Sequence, residues 1–403
     1  MPLENHKTTG HDNLTPDTFV QPAGIYVHIP FCQTKCPYCS FVSYPGLGST
    51  FKNSYMEALA EQARIMANHP WVRKSNFSSL FIGGGTPSGI ETERLASFIA
   101  ACLDKFDFIQ INGREPEVSV EVNPKTVNRE LLQQLQQAGV NRLSIGMQAF
   151  SDVMLRNIGR MHTVKDNFQA FAWARAAGFT NVNLDLMYGL PGQNEATWEE
   201  SLQRAVALGP EHLSVYELTV EPGTPFAELA DKGKLNLPSE AVTFAMFKRV
   251  REILAANNYL QYEISNYCRS GFACSHNINY WENGNYLGLG AGAFSCFSGV
   301  RIKNVESPEG FIKLINSNQA PFADAEFLPL EARFRETVIM GLRMTGGISI
   351  KSLEDRFGLT LQKYYGSVIG KLMDDKLLEE EEGRLRLASK GQFLANRVMA
   401  QLV

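Results

Sequence analysis

From Gly24 onward the chain alternates short apolar runs with longer stretches whose apolar residues recur every three or four positions. The short runs lie at 25–29 (IYVHI), 80–82 (LFI), 118–122 (VSVEV), 142–145 (RLSI), 182–187 (VNLDLM) and 213–218 (LSVYEL). Runs of that length, rich in β-branched and aromatic residues, predict strands. The stretches between them predict helices. Over 163–178, Thr163 is suited to cap a helix, Val164, Phe168, Phe171 and Ala172 share a face, and Gly178 ends it. Over 131–139, Leu131, Leu132 and Leu135 fall on one side. Six strand-then-helix units predict an α/β fold, a parallel sheet with helices outside it. Six is fewer than a closed barrel's eight, so the expectation is a partial (β/α)6 barrel over residues 24–235. In such folds the loops after the strands' C-terminal ends carry the chemistry. Cys32 follows the first strand, Gly83-Gly84-Gly85-Thr86-Pro87 the second and Gln148 the fourth, while Glu121 and Asp185 lie near the ends of the third and fifth.

Outside that rhythm, residues 1–23 are polar, contain Pro16 and Pro22, and read as a disordered tail. Residues 236–324 read as an extension of the barrel, with a helix over 238–257, an extended stretch over 259–267, and a segment rich in Gly, Asn and aromatics over 271–300. Residues 325–403 predict a winged-helix-like α+β domain. A helix ends at Leu342, a short one covers 352–357, a longer one 361–374, and a hairpin turns at Glu382-Gly383.

The charge balance argues against a nucleic-acid partner: Lys and Arg number 38, Asp and Glu 42, and the net charge is −4. The winged-helix-like region is nearly balanced and carries Glu379-Glu380-Glu381-Glu382 on its hairpin, which favours a structural or protein-contact module over DNA binding. Apolar residues at 44% exclude disorder along most of the chain. No apolar run reaches the roughly 18 residues needed to span a bilayer, and the polar N-terminus lacks the apolar stretch of a secretory signal. Seven cysteines, an odd number without a signal, do not read as a disulfide framework, so a reducing cytoplasm is the expected location.

Three of those cysteines are crowded as Cys32-x-x-x-Cys36-x-x-Cys39. Three thiolates on one loop select zinc, copper(I) or an iron–sulfur cluster. Structural zinc wants four protein ligands, and apart from His28 no fourth Cys or His lies close by in sequence. A three-ligand cubane would leave one iron open to a small molecule. On spacing alone, cluster, zinc and no metal all remain open. The run YVHIPFCQTKCPYCSF followed by LFIGGGTPS, then VEVNP, AGVNRLSIGMQAF and DLMYGLPGQ, resembles the radical S-adenosylmethionine superfamily over residues 24–300. Within it the chain is similar to the branch that holds oxygen-independent coproporphyrinogen III oxidases and heme chaperones.

The resemblance implies that Cys32, Cys36 and Cys39 hold a [4Fe–4S] cluster whose fourth iron binds the amine and carboxylate of S-adenosylmethionine. It implies further that Tyr26, Gly84 and Glu121 touch that cofactor, and that Gln148, Arg160 and Asp185 match positions holding a second copy in the oxidases. From the residues themselves, Gly83 to Gly85, with Thr86, let the backbone approach a ligand closely. Tyr26 and Tyr38 either pack on the cofactor or fill the barrel mouth. Gln148, Arg160 and Asp185 could equally serve one cofactor plus a substrate, or form structural ion pairs. The segment His276-Asn277-Ile278-Asn279-Tyr280-Trp281 is similar to the HNxxYW heme-binding signature of the chaperones. A neutral imidazole is a common heme ligand, so His276 is expected to contact heme in a flat slot formed with Tyr280, Trp281 and Phe294. Cys268, Cys274 and Cys296 are expected to be buried and inert.

Two functions of different class follow from the resemblance. One is a chaperone that binds heme and delivers it to apo-hemoproteins of respiration. The other is an enzyme that decarboxylates coproporphyrinogen III oxidatively. The oxidases typically carry a fourth cysteine two residues after the third and a longer N-terminal region. Here Phe41 stands at that position, and only about 23 residues precede the first strand. The chaperone is therefore the expected function. The sequence encodes no membrane anchor, although delivery is compatible with transient membrane contact, and it leaves homodimer formation open.

Overall fold

The computed structural model describes residues 22–403. The tail expected over 1–23 therefore lies outside the described residues, except for Pro22 and Ala23, and Ala23 already opens the first strand. Six parallel strands run in sequence order: β1 (Ala23–Ile29), β2 (Phe77–Gly84), β3 (Glu117–Val122), β4 (Arg142–Gln148), β5 (Val182–Tyr188) and β6 (His212–Glu217). Helices cover their outer face: α1 (Ser49–Ala67), α2 (Thr92–Lys105), α3 (Arg129–Gln137), α4 (Asp152–Asn157), α5 (Val164–Ala176) and α6 (Glu195–Leu208). After α7 (Pro225–Asp231) comes α8 (Glu240–Ala256), which buries Met246, Phe247, Val250 and Leu254 in the same core.

The structure adds a seventh parallel strand. Residues 271–300 deliver β7 (Tyr286–Leu289) back to pair with β1, with Tyr26 opposite Gly288. Antiparallel strands extend both edges, and the twelve-stranded sheet stays open. Within α5 the buried face is Asn167, Ala170, Phe171 and Ala174. Phe168 and Ala172, expected on it, lie outside, because the helix turns its i, i+3, i+4, i+7 row one step round. Phe168 instead meets Phe150 edge-on.

A second apolar core, from Phe334 to Leu402, holds the C-terminal region together. Its helices cover Leu330–Gly341, Ile350–Phe357, Leu361–Tyr365 and Ser367–Asp374, and a three-stranded sheet includes Leu378–Glu381 and Arg384–Leu387. The single helix expected over 361–374 is two, because Gly366 takes φ +55° at the junction.

Along the barrel strands, alternation divides two chemistries. In β1, Ile25, Val27 and Ile29 are fully buried against helices. Their neighbours Gly24, Tyr26 and His28 face inward, against His276, Phe81 and Gly84. In β3, Val118, Val120 and Val122 alternate with Glu117, Ser119 and Glu121. Tyr55 of α1 joins the parts. Its hydroxyl donates to the His28 carbonyl at 2.9 Å and accepts from the Ala291 N–H at 2.8 Å, next to β7. Replacing it by Phe leaves both buried groups unpaired, so Tyr55→Phe is expected to lower unfolding stability by about 1–3 kcal/mol, read by chemical denaturation. A variant as stable as the parent would show that water or a local shift replaces the hydroxyl.

Candidate functional site

The cysteine loop is built by close backbone approach. Phe31-Cys32 pairs in parallel with Tyr44-Pro45, and the Tyr44 N–H donates to the Pro30 carbonyl at 2.7 Å, closing the neck of the loop. Beneath it, the Tyr26 hydroxyl donates to His28 Nδ1 at 2.8 Å and His28 Nε2–H donates to the Val42 carbonyl at 2.8 Å. Both ring nitrogens are thus occupied, and His28 is no fourth ligand. Gly84 sits at φ +110°, where a Cβ would stand 2.5 Å from the His28 ring. A Cβ on Gly85 would stand 2.7 Å from the Phe31 carbonyl. Glycine is required at both places so that the second strand's loop can pass under the first. Thr86 Oγ1 donates to Cys32 Sγ at 3.7 Å. On the far side, Arg160 Nη1 reaches Cys36 Sγ at 4.0 Å.

All three thiols are free and half-buried, and burial raises the proton affinity of Cys32 and Cys39. Among the described residues no three Cys, His, Asp or Glu side chains converge on a single metal-ion position. The loop presents three sulfurs without a fourth protein ligand. That donor set fits a cluster larger than one ion and does not fit the closed four-ligand site of structural zinc.

These thiols open on a cleft of about 490 Å³ at the strands' C-terminal ends. Of the residues singled out from sequence, Cys32, Cys36, Tyr38, Cys39, Gly84, Gly85 and Thr86 line its upper wall. Glu121, Gln148, Arg160 and Asp185 line the remainder. Glu121 Oε2 accepts the Gly84 N–H at 3.1 Å. Burial, reinforced by the Asp185 charge, pushes its carboxyl up to about 8. Asp185 accepts from Asn183 Nδ2 at 2.7 Å and from the Ser144 hydroxyl at 3.1 Å, and burial raises it too. Gln148 has φ +64°, uncommon for a residue with a side chain, and its Oε1 accepts from the Tyr216 hydroxyl at 2.8 Å. Arg160 Nη2 donates to the Gly146 carbonyl at 2.8 Å. Arg160 and Asp185 form no ion pair with each other among the described residues. A guanidinium and a carboxylate therefore face one cleft with their charges uncommitted to each other, an arrangement suited to a zwitterion.

Sequence reading passed over three residues of this interior. Arg142, 2% exposed, lies under the cleft and bonds to the Ser119 hydroxyl at 3.5 Å. Tyr216 and Asn183 hold Gln148 and Asp185. The available signal was positional: Arg142 stands two residues before Ser144, on the inward face of β4, where a charge has to serve something.

Glu117, also missed, anchors the HNINYW segment. That segment forms the helix α9 (Ser275–Trp281). The Glu117 carboxylate accepts from the Ser275 N–H at 2.9 Å, the Cys274 thiol at 3.1 Å and the His276 N–H at 3.4 Å. It caps the helix in place of Cys274, whose own side chain makes no cap. The helix is thereby drawn into the barrel. His276, 2% exposed, stacks on Phe81 at 5.1 Å and bonds through Nδ1 to the Ser79 hydroxyl at 2.9 Å. Its Nε2 has no partner, and burial lowers the ring to about 3, so it is neutral.

The open slot expected around His276 is not formed. Tyr280 turns its ring edge to His276 and to Tyr286, Trp281 lies under the Arg343 guanidinium at 4.4 Å, and Phe294 lies under Lys303 at 5.3 Å. Each aromatic is engaged in packing of its own. Tyr26 likewise stays behind the cleft wall, stacked on Phe81. Cys268 and Cys274 are buried, and Cys296 is half-buried.

This fold and cleft are those of the radical S-adenosylmethionine superfamily, whose model matches residues 26–205; the HemN C-terminal domain model matches 328–394. The heme chaperone HemW of Bacillus subtilis is 37% identical over 93% of this chain and 97% of its own length. HemW of Haemophilus influenzae is 30% identical over 94% of this chain and 97% of its own. The chain belongs to the HemW family of heme chaperones. Coproporphyrinogen III oxidase HemN of Escherichia coli, at 23% identity, has the same fold, with a TM-score of 0.81 over 94% of this chain and 90% of that one.

The raised Glu121 carboxyl sets a pH dependence. Between about 4.5 and 8 the native state keeps a proton that the unfolded chain has lost, so stability falls as pH rises through that window. His276, lowered to about 3, gives the opposite slope, but only below the ordinary histidine value of 6.5. From pH 6.5 to 8 the decline is therefore expected in the unliganded protein and is expected to flatten in Glu121→Gln, followed by denaturation midpoints against pH. A parent curve already flat there would show Glu121 ionised.

Proposed function

We propose that the chain is a heme chaperone which binds heme and passes it to apo-hemoproteins, the respiratory ones included, and which carries a [4Fe–4S] cluster and S-adenosylmethionine as resident cofactors. The observation that carries this reading is full-length similarity to HemW chaperones combined with three free thiols at the head of a polar cleft. Cys32, Cys36 and Cys39 would hold the cluster. Gly84, Gly85 and Thr86 would offer backbone to the methionine end of the nucleoside cofactor, and Tyr38 would close over it. Glu121 would bind its ammonium or ribose, with Gln148, Arg160 and Asp185 around it or a second small molecule. When bound, the pair supplies an open iron site occupied by an amino-acid chelate. The protein's part is to keep that site dry, charge-matched and pinned to the first two strands.

Phe41, 65% exposed, replaces the additional cysteine that the oxidases typically carry, which favours carriage of heme over chemistry on its precursor. His276 is proposed as a heme contact, assisted by Tyr280 and Trp281. It is held as a neutral imidazole with Nε2 unpartnered, and with Nδ1–H donating to the Ser79 hydroxyl, Nε2 would offer its lone pair to iron. Because α9 is enclosed, that contact requires the helix to move outward from its Glu117 cap.

Anaerobic reconstitution is expected to give about four irons and four sulfides per chain, and each single Cys→Ser change at 32, 36 or 39 is expected to abolish the cluster's absorbance. Full occupancy in all three variants would remove the proposed ligand set. Hemin transfer to an apo-hemoprotein, followed by the acceptor's Soret band, is expected for the parent and at least tenfold slower for His276→Ala. Protoporphyrin formation from coproporphyrinogen III, with reductant and S-adenosylmethionine supplied, would instead establish the enzyme.

A further inference from the structure

Away from the cleft, a groove of about 880 Å³ runs between α8 and the segment 389–394 of the C-terminal region. That volume lies within the roughly 300–1,000 Å³ typical of pockets that take compact organic ligands. Its floor is aromatic. Phe244 meets Phe393 at 4.6 Å, and Phe247 meets the same ring at 5.6 Å. Phe244 is nonetheless 41% exposed, so part of the ring beyond its Lys248 contact is open to solvent.

The rim is cationic and unneutralised. Lys248 lies over Phe244 at 5.5 Å, Arg251 lies over Phe247 and donates to the Ser389 hydroxyl at 3.3 Å, and Lys390 donates to the Asp375 carbonyl at 3.2 Å. None of the three has a carboxylate partner among the described residues. The two acids on the rim are already matched: Glu240 pairs with Arg397 at 3.1 Å and Glu252 with Arg249 at 2.8 Å. The groove therefore combines flat apolar rings with a surplus of positive charge, in a chain whose net charge is −4.

We propose that this groove is a docking site for the tetrapyrrole itself, a planar apolar ring carrying two propionates. The macrocycle would lie against the Phe244 ring, with Phe393 standing at 62° to it along one edge, and the propionates would meet Lys248, Arg251 and Lys390. This inference rests on the heme-chaperone reading and adds an open surface site to the enclosed His276. No His, Cys, Met or Tyr lines the groove. Docking there is consequently independent of iron, unlike contact through an imidazole. A site that grips the porphyrin by its face and its carboxylates but leaves iron free suits a carrier that must let its cargo go.

Metal-free protoporphyrin IX is the discriminating probe, used with the full chain and read by its fluorescence at fixed ionic strength. Binding to the parent is expected, weakened at least tenfold in the double change Lys248→Glu/Arg251→Glu and at least threefold in Phe244→Ala. Lys248 and Phe244 are exposed and Arg251 is half-buried, none of them inside the apolar core, and circular dichroism is expected to match the parent. Protoporphyrin affinity within twofold of the parent in both variants, while the parent still binds hemin, would overturn the groove and leave the chaperone reading standing. A parent that binds neither hemin nor protoporphyrin would overturn both. Variants that keep porphyrin affinity but lose transfer to an apo-hemoprotein would assign the groove to an acidic acceptor surface and so also overturn the proposal.

Discussion

A parallel sheet lined on its inner face by ionisable side chains has to make each of them paired, hydrogen-bonded or neutral, because an isolated buried charge costs far more than a fold's margin of stability. Here Glu117, Glu121, Arg142, Asp185 and His276 share that interior. The protein answers residue by residue. Glu117 is used up on three donors at the start of α9. Asp185 is held by an amide and a hydroxyl. Arg142 lies within the field of Glu117 and Asp185. Glu121 and His276 are pushed toward their neutral forms. The whole arrangement spends stability on polarity that a packed apolar core would not need, and such expense marks places where a ligand supplies the missing charge.

The same economy explains the glycines. A cysteine loop set on the end of β1 can be rigid only if something fills the space beneath it, and here that is the Gly84-Gly85 backbone. Because a Cβ at either position would collide with His28 or Phe31, the two strands lock together without side chains between them. The thiols' positions are then determined by backbone contacts and by the Tyr26–His28–Val42 chain of hydrogen bonds. A loop held in that way keeps its donors in place before any ligand arrives, which limits the ordering cost of binding.

Much of this was legible in the amino-acid order, and the unreadable part has a common cause. The six strand–helix units, Thr163 as a cap and the Leu131, Leu132 and Leu135 face are local patterns, and local patterns are what a sequence displays. The cleft residues were found because chemistry-bearing side chains at strand ends stand out. What escaped depends on pairing between distant segments. Tyr-Leu-Gly-Leu is too short and too glycine-rich to announce a strand, and only the free edge of β1 makes it one. Glu117 looked like the edge of a valine run until Ser275, 158 residues on, brought its N–H to it. His276 looked accessible because its neighbours are aromatic, yet the same aromatics pack it in.

That enclosure bears on how cargo could be handled. A neutral imidazole with an unpartnered Nε2, buried inside the open barrel, suits iron by its charge and is out of reach of a macrocycle. Were His276 to contact heme as proposed, the Phe81 and Tyr280 contacts and the Glu117 cap would have to be given up, and that cost would oppose binding by the same amount that it favours release. Phe81 and Arg142 belong both to the lining of the cleft and to the surroundings of α9, so the cleft and the enclosed helix share a wall and one buried cation faces both.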